Sequence, residues 1–127
     1  MSPSAPKIGS PERAFEDIDL PWLCMTGTHD ASSIGGASVE NRLSVYPALP
    51  AGDKFELVLF QAEHSAFTES ELPGEQFESN PNHHTAIKAI STAFWDMYLL
   101  NDSAATEWLT SEAVRSVLET EDRWQSK

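Results

Sequence analysis

The sequence predicts an α/β fold with about two parallel strands flanked by helices. Three observations lead there. Pro21-Trp22-Leu23-Cys24-Met25-Thr26-Gly27 is a continuous apolar run ended by glycine, and a run that does not alternate suits a strand covered on both faces. Lys54-Phe55-Glu56-Leu57-Val58-Leu59-Phe60 reads as a second strand. Between them a loop and a helical pattern give the order strand, loop, helix, strand of a right-handed βαβ unit.

Each element follows from local chemistry. Residues 1–20 are rich in Pro, Ser and Gly, with a short helix from Pro11 to Ile18 that Ser10 caps and Pro11 opens. This lead-in reads as a connection from a strand outside these residues. After the first strand, THDASSIGGA (28–37) is a polar, Gly-rich loop. A helix near Ser38–Pro47 sets Val39, Leu43 and Tyr46 at helical spacing. Leu49 to Asp53 is turn material before the second strand. The loop from Gln61 to about Asn82, with its Pro73-Gly74 turn, exceeds the usual length, and such loops are often functional. The clearest helix begins near Asn80-Pro81-Asn82, and Ile87, Ile90, Phe94, Met97 and Tyr98 form its apolar stripe. Asp102-Ser103 restarts a helix through Leu109, Ser111 caps another to about Leu118, and EDRWQSK reads as a frayed tail or docking strap.

With 127 residues, 40% of them apolar, the chain suits one small domain or a piece of a larger one. Twenty acids against eight bases give a net charge of −12, which repels phosphate backbones and argues against nucleic-acid binding. No run of eighteen apolar residues is present, the N-terminus lacks a secretory pattern, and a cytoplasmic location away from membranes is expected. The single cysteine, Cys24, allows no intrachain disulfide and sits in an apolar run as a buried, inert thiol.

Two loops carry the chemistry. Asp30 lies three residues beyond Gly27, and His64 four residues beyond Phe60. In open α/β sheets, catalytic groups gather beyond the carboxyl ends of the strands. Adjacent strands lie roughly 5 Å apart, so the two loops can bring carboxylate and imidazole together. Asp30 would then accept a hydrogen bond from His64 Nδ1, fixing the tautomer and leaving Nε2 as a base.

Pro21 through Asp30 resembles the strand and loop that carry the acid in α/β-hydrolases. Phe55 to Phe60 followed by Ala62-Glu63-His64-Ser65-Ala66-Phe67 is similar to the family's last strand and histidine loop. The segment from Asn82-His83-His84 through Leu100 resembles its closing helix. The nearest group is that of dienelactone hydrolase and chlorophyllase-like proteins. The resemblance implies a partial α/β-hydrolase fold, its carboxyl-terminal portion. In that frame 1–20 is the lead-in, 21–60 the βαβ unit, 61–82 the histidine loop and 83–118 the closing helices. It also implies Asp30 as triad acid, His64 as general base, a small-molecule ester or lactone as substrate, and no cofactor or metal. The order of acid then histidine matches the family's Ser…Asp…His order.

The family's nucleophile elbow, G-x-S-x-G, occurs nowhere in these residues, and the strand supplying the oxyanion hole is not among them. The favoured explanation is truncation of a longer ancestor, with Met1 an internal methionine; a companion chain or a retained non-catalytic protein are the alternatives. The outer backbone edge of Leu23 to Thr26 is then unpaired and apolar. The isolated chain is expected to be weakly stable, or to pair with an N-terminal half-domain or with a second copy through that edge. A non-catalytic binding module and an accidental resemblance are the competing readings.

Plainer roles stand beside these. His64 reads equally as a surface histidine, and Asp30 as a turn residue bonding its own backbone. Asp19 and Asp53 fit the acid's place less well. Ser65 follows the histidine and reads as structural, while Ser32 and Ser33 lack the sharp elbow. His29, His64, His83 and His84 lack the i, i+4 spacing of helical zinc motifs, and His83 and His84 suit a solvated or capping role. Trp22, Trp95, Trp108 and Trp124 follow the packing pattern, with Trp22 and Trp95 expected near one another.

Overall fold

The computed structural model describes residues 3–31, 36–68, 74–76, 78 and 80–127. Its elements are α1 (Pro11–Phe15), β1 (Trp22–Gly27), α2 (Val39–Leu43), α3 (Val45–Ala48), β2 (Lys54–Leu59), α4 (Pro81–Leu99), α5 (Ser103–Thr110) and β3 (Arg123–Ser126), with 3-10 turns at His64–Phe67 and Glu112–Val117. The protein is mixed α/β, a three-stranded sheet in the order β1-β2-β3 flanked by helices. β1 and β2 run parallel with Trp22 opposite Lys54 and Gly27 opposite Leu59.

Strand alternation divides the core in two. On one face Phe55, Leu57 and Leu59 pack with Ala86, Ile90 and Phe94 of α4 and with Leu109 and Val114. On the other, Cys24 meets Val45 and Tyr46 of α3 together with Ala5 and Leu49. Burying a residue such as Leu57 or Ile90 contributes about 1.5–3 kcal/mol. The α4 stripe takes the expected place: Ile90 and Phe94 are buried, and Ile87, Met97 and Tyr98 flank them. Asn80 caps α4 by accepting from Asn82 N, and Pro81 opens the first turn.

The structure departs from expectation in several places. EDRWQSK is neither frayed nor a loose strap: Arg123–Ser126 is a strand antiparallel to β2, with Leu57 opposite Trp124. Trp124 stacks on Phe55 at 5.6 Å between ring centres, and Lys54 exchanges backbone hydrogen bonds with Lys127 at 2.9 and 3.0 Å. The helix over 38–47 is two short helices meeting at Ser44, since Pro47 supplies no amide to extend one ladder through. The segment after Ser111 is a 3-10 turn, although Ser111 still accepts from Ala113 N. Ser10 bonds the Glu12 carboxylate instead of capping α1 through the backbone.

β1 is buried unevenly, with Trp22, Leu23 and Met25 only half-buried. Among the described residues it pairs on one side alone. Trp22 N donates to Asp53 O and Thr28 N to Leu59 O, so Trp22, Cys24 and Thr26 face β2. The backbone groups of Leu23, Met25 and Gly27 therefore point to the open edge. Beside that edge, Pro21, Trp22, Leu23, Met25, Phe94 and Trp95 line a groove of about 330 Å³, which brings the two tryptophans to one cavity.

Candidate active site

The two loops meet because a glycine lets them. A Cβ on Gly27 would lie 2.0 Å from the carbonyl oxygen of Ala62, closer than any side chain permits. With no Cβ there, Thr28 N donates to Leu59 O at 2.9 Å and His29 N to Ala62 O at 3.0 Å. These bonds hold the loop after β1 against the loop after β2.

The join brings Asp30 to His64. Nδ1 of His64 lies 2.8 Å from Asp30 Oδ1. An ionised carboxylate only accepts, so Nδ1 carries the proton and donates it, leaving Nε2 unprotonated in the neutral ring. Thr26 Oγ1 donates to the other oxygen, Oδ2, at 2.9 Å. Arg42 of α2 adds a positive charge, its Nε 3.2 Å from Oδ1. Asp30 is fully buried at 0% exposure, whereas the His64 side chain is 30% exposed. The carboxylate is thus held inside, and part of the imidazole reaches the surface.

The histidine loop is anchored from both ends. Its leading residue, Phe60, donates its amide to Asp122 Oδ1 at 2.8 Å, and its carbonyl accepts from His83 Nε2 at 3.0 Å. Asp122 Oδ2 also accepts from Glu119 N. Further along, Ser65 N donates to Glu75 Oε1 at 2.8 Å, and Gln76 N donates to the Glu63 carboxylate at 3.0 Å. Two carboxylates thereby clasp the segment around His64 onto residues 75 and 76.

The remaining sequence-derived candidates fall elsewhere. Asp53 accepts from the Tyr98 hydroxyl at 2.9 Å, and burial first, then that bond, pushes the phenol well above its usual range. Ser65 takes a structural part through its amide, and Ser32 and Ser33 lie outside the described residues. Exposed His29 pairs with Thr28 Oγ1. His83 is not solvated: it is buried and grips the Phe60 carbonyl, a correction that follows from its position on the inner face of the first turn of α4. No group of three or more His, Cys, Asp or Glu able to hold a metal occurs among the described residues. No described helix is long and apolar enough to cross a membrane. Burial, and then the charge of Glu56, push the Cys24 thiol up to about 12, so it is a poor nucleophile at neutral pH.

Sequence reasoning missed Thr26, Arg42, His83 and Asp122. Arg42 had a weak signal, since it follows Val39 by three residues and so shares the apolar side of the predicted helix. Asp122 had none, since its partners are backbone amides distant in sequence. Comparison with family models, with curated proteins and with solved structures gives no match to the chain.

Proposed function

We propose that these residues are the carboxyl-terminal part of a serine ester or lactone hydrolase of the α/β-hydrolase type, of the dienelactone hydrolase and chlorophyllase-like kind. Asp30 is the acid and His64 the general base. One observation supports this reading above the rest: the 2.8 Å bond from His64 to a buried carboxylate beyond the carboxyl ends of two adjacent parallel strands. The serine comes from an N-terminal half-domain that seats against the open edge of β1. Its hydroxyl gives its proton to Nε2 as the oxygen attacks the ester carbonyl, and Asp30 stabilises the imidazolium. The proton then passes to the leaving alkoxide, and water repeats the cycle to free the acid.

A fluorophosphonate probe tests this. The chain alone is expected to remain unlabelled. Co-expressed with a strand–G-x-S-x-G–helix half, it should give a labelled serine and ester hydrolysis that His64→Ala lowers by at least about a thousandfold. A stable, stoichiometric complex that takes no label would count against the proposal.

The open edge and its apolar groove favour a second reading, a non-catalytic assembly module. Its signature is a captured partner retained in His64→Ala and never labelled by the probe.

A further inference from the structure

We propose that the outward face of α4 docks a second copy of this chain, the two helices lying antiparallel with Thr92 at their meeting point. The surface is separate from the open backbone edge of β1, and the inference does not depend on the acid–base reading. The inward stripe of α4 packs into the core, and the opposite face carries Thr85, Lys88, Thr92, Asp96 and Leu99. Steps of three and four residues put these five on one line along the helix. Leu99 is 69% exposed and adjoining Trp95 56%, so two large apolar side chains border the line. On its other flank α4 and α5 form a groove of about 840 Å³, floored by half-buried Ala89, Ala93, Ala105 and Trp108.

Charge identifies the occupant. Lys88 is the one base between Lys54 and Arg115, a stretch that holds ten acids. It has no acid three or four residues away on its helix, and Asp96 has no base at those steps. Among the described residues neither enters a salt bridge. Eight residues separate the two, about 12 Å along the axis, which is too far for them to meet within one chain. They nevertheless stand four residues before and four after Thr92, each about 40° around the helix from it and on opposite sides. Turning a second α4 end for end about Thr92 therefore sets Lys88 of each copy against Asp96 of the other, twice over. With axes about 8–10 Å apart, the usual spacing of packed helices, a lysine reaches that carboxylate. The same operation faces Thr85 with Leu99 and brings Ala89 level with Trp95, so small residues meet large ones. An unrelated partner would have to reproduce this order of charges, whereas the chain's own helix supplies it by symmetry. The groove and the two apolar side chains contribute affinity, and the ion pairs fix the register.

Sedimentation equilibrium of the full chain tests this. The unaltered protein should show a monomer–dimer equilibrium whose dimer share rises with concentration. Lys88→Glu and Asp96→Lys each turn two attractive pairs into two repulsive ones, and each should weaken the dimer at least about tenfold. The double variant Lys88→Glu/Asp96→Lys restores both pairs with their signs exchanged and should recover the original constant to within about threefold. That recovery also guards against a single variant that fails to fold. A chain that stays monomeric at every concentration, single variants that dimerise unchanged, or a double variant that stays weak would each overturn the proposal. So would a dimer lost in Met25→Lys and kept in Lys88→Glu, which would assign the association to the open edge of β1.

Discussion

The two edges of the sheet are built on opposite principles. Beyond β2, the strand β3 takes up the backbone groups, and the side chains add polar bonds. The buried Glu56 carboxylate accepts from Arg123 Nη2 at 2.9 Å and Gln125 Nε2 at 2.5 Å. Just before β3 begins, the side chain of Asp122 accepts the amide of Phe60. Beyond β1 there is no such cover among the described residues, and the flanking side chains are Trp22, Leu23, Met25 and exposed Trp95. The candidate site straddles this divide, with His64 on the closed side and Asp30 on the open one. Among the described residues, order is built in on one side and not on the other.

Amide exchange should show the largest contrast. Within β1, Cys24 and Thr26 donate toward β2, while Leu23 and Met25 point outward. For a native stability of roughly 5 kcal/mol, the inward amides should exchange about a thousandfold more slowly than the outward ones. Equal protection of both sets at high protein concentration, lost on dilution, would reveal self-pairing and erase the difference between the edges.

The joint between the two sides is next. Gly27→Ala drives a methyl into the Ala62 backbone, which cannot swing aside as a side-chain tip would. The expected cost is at least about 3 kcal/mol, read from urea unfolding, with loss of the His64 Nδ1–H signal. A stable Ala variant with that signal intact would show that the crossing is loose.

On the closed side, Asp122→Ala strips acceptors from the amides of Phe60 and Glu119. Two part-buried donors left unmet predict a loss of about 2–3 kcal/mol. A loss below about 0.5 kcal/mol would mean that β3 alone anchors the histidine loop.

The same divide explains what was legible in the sequence. β1 and β2 announce themselves as apolar runs, and Asp30 and His64 follow from where those runs end. α4 is visible because Asn80, Pro81 and its stripe agree. β3 was illegible because RWQS alternates nothing: Arg123 and Gln125 reach a buried glutamate, and Trp124 bonds Leu109 O through its ring nitrogen. Polar strands that answer a buried charge carry no hydrophobic period to read. His83 was hidden likewise, since it is buried against the Phe60 carbonyl, a partner distant in sequence.

The smallest effect concerns the clasp beneath α4. Glu119 accepts from Asn82 Nδ2 at 2.7 Å and from Asn80 Nδ2 at 3.2 Å, tying the start of the helix to the segment that leads into β3. Those two bonds, Asn82 first, hold its carboxyl below the usual 4.5. A carboxyl lowered on folding adds stability that is complete above the unfolded value and disappears as pH falls through the folded one. The group is solvent-screened, so the contribution is no more than a few tenths of a kcal/mol. Unfolding of the unaltered chain and of Glu119→Gln should therefore differ slightly at about pH 6 and coincide at about pH 3. A gap that stayed constant across that range would mean that the clasp works through shape and neutral hydrogen bonds. The closed side would then owe nothing to the charge of this residue, and its contrast with the apolar edge would rest on Glu56 and Asp122.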